Sequence, residues 1–264
     1  MDAKIIGGKE RGTIIYRQHF AYVGRTCVKK TKLKPHLKKQ WCIPSKQNAE
    51  FVARMEDVLA IYARGYDKDY PVVCMDEKPF QLLDERYLPI PMSKNNHKLK
   101  YDYEYERKGT CSIFLFAETL AGWRHSTALP QRTKIDWANQ MKWFLDEQYP
   151  DVKKVIAVMD NLNTHGTHSF YEAFPPEEAF RLSQRVEIHY TPKHGSWLNV
   201  AEIELSAMEI QCLAKRRIPT IDCLNTELTA WHSVRNISQK SVDWHFSADD
   251  ARFKLRYLYP LVNI

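Results

Sequence analysis

Three short apolar runs, each leading to an acid, lay out the plan of this chain. Val155-Ile156-Ala157-Val158-Met159 is apolar without alternation and is followed by Asp160 and Asn161. Unbroken apolarity over that length predicts a strand covered on both faces, the habit of parallel sheets. Leu162-Asn163-Thr164-His165 then reads as a polar turn opening a helix. Upstream, Val72-Val73-Cys74-Met75 ends in Asp76. Downstream, Val186-Glu187-Ile188-His189-Tyr190 leads through a Pro/Gly turn to Asn199-Val200-Ala201-Glu202. A buried strand that delivers an acid to its C-terminal end, before a loop and helix, is where open α/β sheets place their chemistry. The three acids are expected to meet.

The remaining pattern fills in around these runs. Phe51, Met55, Val58, Leu59 and Tyr62 recur at helical spacing, predicting a helix over Gln47–Tyr62 capped by Ser45. Phe80 to Leu83 extends the first strand. Tyr101 to Glu106 alternates aromatic and acidic residues, the period of a half-exposed strand, and Thr110–Glu118 is a second strand paired with Arg124–Ala128. Thr133 caps a helix to Tyr149 with a stripe of Ile135, Trp137, Met141, Phe144 and Leu145. Two short helices precede the strand at Val186. A helix over Asn199–Ala214 turns Val200, Ile203, Met208 and Leu213 inward, and two more helices follow, over Ile221–Val234 and Ala248–Tyr259. Antiparallel strands leading into βαβ units imply an α/β fold with a mixed sheet and helices on its faces.

Charge changes this picture at one end only. The net charge is +7, and residues 1–70 carry 15 Lys+Arg against 7 Asp+Glu, while the rest is nearly balanced. Six lysines, Lys29, Lys30, Lys32, Lys34, Lys38 and Lys39, fall within eleven positions. Such a run suits the phosphates of a polyanion, and nothing in it reads base edges. No apolar run reaches the roughly 18 residues of a membrane span, and a cytoplasmic protein is expected. The six cysteines form no C-x-x-C pair, which argues against structural zinc.

Converging carboxylates on strand ends and a helix suit a hard divalent cation. Two Mg²⁺ (or Mn²⁺) ions about 4 Å apart can activate an attacking hydroxyl and stabilise the leaving oxygen of a phosphodiester. Each acid alone has a plainer reading: a strand-end Asp is more often a turn former or cap, and Glu202 alone a surface acid. Strand alternation sends Glu77 to the face opposite Asp76, so only one of that pair is expected in the site. Glu204 points about 200° away from Glu202 around the helix.

Met75-Asp76-Glu77, Met159-Asp160-Asn161-Leu162-Asn163-Thr164-His165 and the block from His194 through Trp197, Asn199 and Glu202 to Glu204 resemble the three catalytic blocks of DDE transposases. The nearest likeness is to the bacterial insertion-sequence branch of the mariner superfamily, which would place the protein in the bacterial cytosol and nucleoid. The resemblance implies a ribonuclease H-like fold, with a five-stranded sheet whose first and fourth strands are parallel neighbours. It implies a catalytic and metal-binding triad of Asp76, Asp160 and Glu202, with Asp76 bridging two ions. Asn161, His165 and Asn199 match supporting positions, and Trp197 is a candidate DNA contact. The implied activity is cleavage at transposon ends and transfer of the freed 3′-hydroxyl into target DNA, by a homodimer on paired ends.

The main domain is read as residues 71–264, after a basic linker and helix over 34–70. Residues 1–33 are glycine-interrupted and lack the helix-turn-helix units such proteins begin with. They are read as a poorly ordered remnant of a DNA-binding region, as in an N-terminally truncated copy. Two alternatives accompany this reading: a ribonuclease H-like nuclease without strand transfer, and a silent or targeting-defective DNA-binding fragment acting as an inhibitor. Loss of sequence-specific end binding is the expectation; a gel-shift assay showing tight, salt-resistant preference for one DNA end would overturn it.

Overall fold

The computed structural model describes residues 43–94, 97–214, 216–239 and 241–261. The lysine cluster from Lys29 to Lys39 lies outside them, as does the whole of residues 1–33. Helix α1 spans Ala49–Tyr62, and strands β1, β2 and β3 span Val72–Glu85, Tyr105–Glu118 and Trp123–Leu129. Helix α2 (Lys134–Trp143) leads to β4 (Val155–Met159), then α3 (His168–Ala173), α4 (Pro176–Gln184) and β5 (Val186–Tyr190). Helices α5 (Val200–Met208), α6 (Ile221–Ser238) and α7 (Ala248–Lys254) complete the order. The sheet runs β3-β2-β1-β4-β5, antiparallel from β3 to β1 and parallel from β1 to β5. This is the mixed five-stranded, ribonuclease H-like arrangement expected from the sequence.

Alternation along the central strands divides the core in two. Val72 and Cys74 of β1, Ile113 and Leu115 of β2, and Ile156 and Val158 of β4 face α1, α5, α6 and α7. Val73 and Met75, Phe114 and Phe116, and Val155, Ala157 and Met159 face α2, α4 and Phe170 of α3. Because β4 is buried on both sides, no polar position interrupts it, which is why its sequence lacks a period of two.

Several elements differ from the sequence-based expectation. The cap of α1 is Asn48, not Ser45: the Asn48 side chain accepts from the Phe51 amide at 2.9 Å. The region over 101–118 holds one strand, not two. It begins at Tyr105, and its register with β1 shifts at Leu82/Leu83, where Gly109 takes a φ of +111°. Helix α2 gives way to a π-helical turn over Phe144–Gln148, and α5 to another over Glu209–Leu213. Ile135 and Ile203 are exposed rather than inward. On α5 the inward positions are Val200, Ala201, Glu204, Leu205 and Met208, so an acid stands where an apolar residue was expected.

Glu204 is buried because cations come to meet it. Its Oε1 accepts from Arg124 Nη2 at 3.0 Å and from Arg235 Nη2 at 3.0 Å, tying α5 to β3 and α6. Glu204→Ala strips the buried Arg124 guanidinium and the partly exposed Arg235 of their carboxylate and should lower the unfolding free energy by about 3–5 kcal/mol. Urea denaturation checks this; a loss under about 1 kcal/mol, the level of an exposed pair, would contradict it.

Candidate active site

The parallel pairing of β1 with β4 sets the first two acids side by side. Val72 pairs with Ile156, Val73 with Ala157 and Cys74 with Val158. The same offset carried two residues onward brings Asp76 level with Asp160, both on the sheet face that packs against α5. The third acid arrives on the connection after β5. That connection turns sharply: His194 takes a φ of 66°, and a Cβ added to Gly195 would lie 2.4 Å from Pro192 Cγ. Ser196–Leu198 forms a 3₁₀ turn, and Asn199 then caps α5, its side chain accepting from the Ala201 amide at 3.1 Å.

Asn199 also fastens this helix start to β1. Its Nδ2 donates to the Met75 carbonyl at 3.0 Å and lies 3.4 Å from Asp76 Oδ2. Glu202 therefore sits in the first turn of α5, above Asp76, where the helix dipole favours a carboxylate. Burial pushes the Asp76 carboxyl up to about 7. The Glu77 amide opposes that rise, and the negative fields of Asp160 and Glu202 add to it. Burial also raises Glu202; a hydrogen bond from Ser196 opposes the rise, and Asp160 adds to it. Asp160 and Glu202 thus lie near enough to Asp76 to act on it, although the three are distant in sequence.

His165 stands at the far side of Asp160. Its ring Nδ1 is 2.6 Å from Asp160 Oδ1 and 3.2 Å from the Asp160 carbonyl oxygen. Nε2 is 3.1 Å from Glu77 Oε1. Burial works against the imidazolium, but these two carboxylates outweigh it and hold the ring's pKa up to about 9. Glu77 does lie on the face opposite Asp76, as alternation requires, yet it is not excluded from the site: it reaches Asp160 through His165. The sequence offered no signal for this beyond the adjacency of Asp76 and Glu77. His168, three residues on, turns away, with its Nε2 2.9 Å from the Asn163 carbonyl; the two histidines do not converge.

The other candidates fall as follows. Asn161 is exposed immediately beyond Asp160. Trp197, a candidate DNA contact, is instead buried, its ring 5.6 Å from that of Phe246 in an edge-on arrangement. Its flanking residues force this: the 3₁₀ turn directs Trp197 and Leu198 into the core. Near the end of α5, Arg216 pairs with Glu227, and Arg217 with Glu85 and the carbonyls of Asp102 and Glu104. Those guanidinium groups already have acidic or carbonyl partners.

The donor set is all oxygen, on short or helix-anchored side chains, with the Asp160 carboxyl 41% exposed. Among the described residues, no three such groups stand in ready-made ligand geometry. Asp76 is raised chiefly by burial, with the negative charge of Asp160 and Glu202 adding to it, and oxygen donors of this kind suit a hard divalent ion.

A model of the DDE superfamily endonuclease domain matches residues 71–225. Among solved structures, the Mos1 strand transfer complex is 12% identical with a TM-score of 0.51, covering 90% of this chain and 64% of that one. A pre-cleavage Mos1 transpososome is 13% identical with a TM-score of 0.50, covering 93% and 68%. The chain thus spans a little under two-thirds of the first of these. No curated protein matches it. The likeness to the Mos1 structures is one of fold.

In the metal-free protein, Asp76 is protonated more readily folded than unfolded. Its contribution to stability is present below its unfolded pKa and is lost as pH rises through about 7. The melting temperature of the wild type should therefore fall relative to Asp76→Asn between about pH 4 and pH 7, and added Mn²⁺ should restore it. Parallel pH profiles for the two proteins would contradict this.

Proposed function

Since the chain belongs to the DDE superfamily of endonucleases, we propose that it is the catalytic domain of a transposase, cutting DNA at transposon ends and joining the ends to target DNA. The observation that carries this reading is the β1–β4 register, which levels Asp76 with Asp160, together with the Asn199 clasp that sets Glu202 above them. The motif likeness to the bacterial insertion-sequence branch supports the finer assignment. The titles of the Mos1 structures, a strand transfer complex and a transpososome, support DNA as the partner, with a homodimer on paired ends. Residues 71–264 are the catalytic part in this proposal, and the basic segment before them, including Lys34, Lys38 and Lys39, contacts phosphate.

Asp76, Asp160 and Glu202 would hold two Mg²⁺ or Mn²⁺ ions. Bound there, such ions make a water or hydroxyl nucleophilic near neutral pH and offset charge on the leaving oxygen. The chain's own residues supply position. Asn199 holds α5 against the end of β1, so Glu202 and Asp76 keep a fixed separation. His165 presents Nδ1 to Asp160 and holds that carboxylate in place. The reaction is an in-line displacement at phosphorus: water first releases a 3′-hydroxyl, and that hydroxyl then attacks a target phosphodiester, expelling its 3′-oxygen.

Wild-type protein with Mg²⁺ or Mn²⁺ should nick a terminal-repeat duplex and yield joined products with a target duplex. Asp160→Asn should lose roughly 10³-fold in rate or more, since a metal's charge stabilisation is worth several kcal/mol and each 1.36 kcal/mol is tenfold. Nicking without joined products would favour a nuclease lacking strand transfer. Equal activity in Asp160→Asn would remove the proposal.

A further inference from the structure

Asp160 lies one residue beyond the last paired position of β4, so the ladder fixes its backbone less firmly than that of Asp76. Its carboxyl is partly open to solvent and needs something else to aim it. We propose that Glu77 and His165 form a positioning relay that orients Asp160, locking one carboxylate oxygen against the imidazole and leaving the other directed at a divalent cation. This rests on the metal-dependent endonuclease reading of the site.

The geometry of the relay is closed at both ends. Both ring nitrogens of His165 are engaged, Nε2 with Glu77 Oε1 and Nδ1 with Asp160 Oδ1. A ring flip would cost both contacts at once. The backbone of His165 is pegged as well: its amide donates to the Leu162 carbonyl at 3.0 Å, and its carbonyl accepts from the Tyr190 hydroxyl at 2.7 Å. The Trp137 ring lies 6.0 Å away in a near-stacked orientation and closes the side of the imidazole.

Glu77 is the telling member. It continues the row Val73, Met75, Glu77 on the face of β1 that packs against α2, and its side chain is only 1% exposed. Burying a carboxylate in an apolar row is costly unless it is paired. A methionine would pack there without that cost. The only described cation near its second oxygen, Oε2, at ion-pair distance is Arg132, with Nη1 3.9 Å away. An acid retained there, spanning 88 residues of sequence to grip one imidazole, is explained by what the imidazole does next. Groups that orient metal ligands commonly change metal affinity about 10- to 100-fold when altered.

The test uses the full chain without DNA. Mn²⁺ binding is measured by calorimetry for wild type, Glu77→Gln and Asp160→Asn. The imidazole ¹⁵N resonances of His165 are followed in wild type and Asp160→Asn during a Mg²⁺ titration. Glu77→Gln should bind Mn²⁺ about 10- to 100-fold more weakly while unfolding cooperatively. The His165 resonances should move with Mg²⁺ saturation in wild type and stay still in Asp160→Asn. Should Glu77→Gln fail to fold, the wild-type titration decides alone. Wild-type affinity in Glu77→Gln, or stationary His165 signals while Mg²⁺ saturates, would overturn the relay and leave the endonuclease reading standing. A wild type that binds no Mn²⁺ would sink both.

Discussion

A slip of one residue between β1 and β4 would turn Asp76 toward α2 and Glu77 toward α5, because side chains alternate along a strand. The site therefore depends on how firmly that parallel pairing is registered. Three observed rungs fix it, from Val72–Ile156 to Cys74–Val158. The Ile156 amide donates to the Pro71 carbonyl at 2.9 Å just before them, and the amides of Lys153 and Lys154 reach the Asp69 carbonyl. On its other edge β4 is held by β5 along its whole length. With apolar side chains packed on both faces, no shifted register leaves β4 equally buried and its neighbours equally satisfied.

That rigidity is what allows like charges to be gathered. Burial raises the Asp76 and Glu202 carboxyls, and the negative charge of neighbouring acids adds to the rise. The repulsion is carried by the scaffold: by the ladder beneath Asp76, by the Asn199 hydrogen bonds at the start of α5, and by the imidazole beside Asp160. A cation entering such a place relieves strain already present instead of having to collect its ligands. The arrangement trades stability of the metal-free fold for readiness to bind.

Most of the sheet, and the three acids it brings near one another, were legible in the sequence, for a physical reason. A strand buried on both faces cannot hide its pattern, and its first polar residue marks the strand end; Val155–Met159 and then Asp160 say this outright. The boundaries of β5 and the four-residue spacing within α1 were equally plain. What stayed hidden were polar groups whose burial depends on a distant partner. Glu204 resembles any surface helix acid until Arg124 arrives from 80 residues away. Trp197 was a candidate DNA contact because it neighbours the third acid, yet the 3₁₀ turn that precedes α5 points it inward. Gly109 breaks the alternation over 101–118, so one long strand read as two shorter ones. These failures share a cause: local pattern reports burial by apolarity and is blind to burial by pairing.

Two of the three acidic blocks contain a second acid, and in both the geometry of the element assigns the roles. In β1 the neighbour is one residue on, so it must face the other side of the sheet; in α5 it is two residues on, about 200° around the helix. Each neighbour turns into the protein and finds cationic or imidazole partners, Glu77 with His165 and Glu204 with Arg124 and Arg235. Each site acid is left half-buried at the sheet's end with no arginine or lysine ion-paired to it among the described residues. The inward acids brace the elements that carry the outward ones, so neutralisation inside and unneutralised charge at the site are produced by the same few residues of sequence. The fold can thus gather acids at one end of its sheet while Glu77 and Glu204, their inward neighbours, are paired inside.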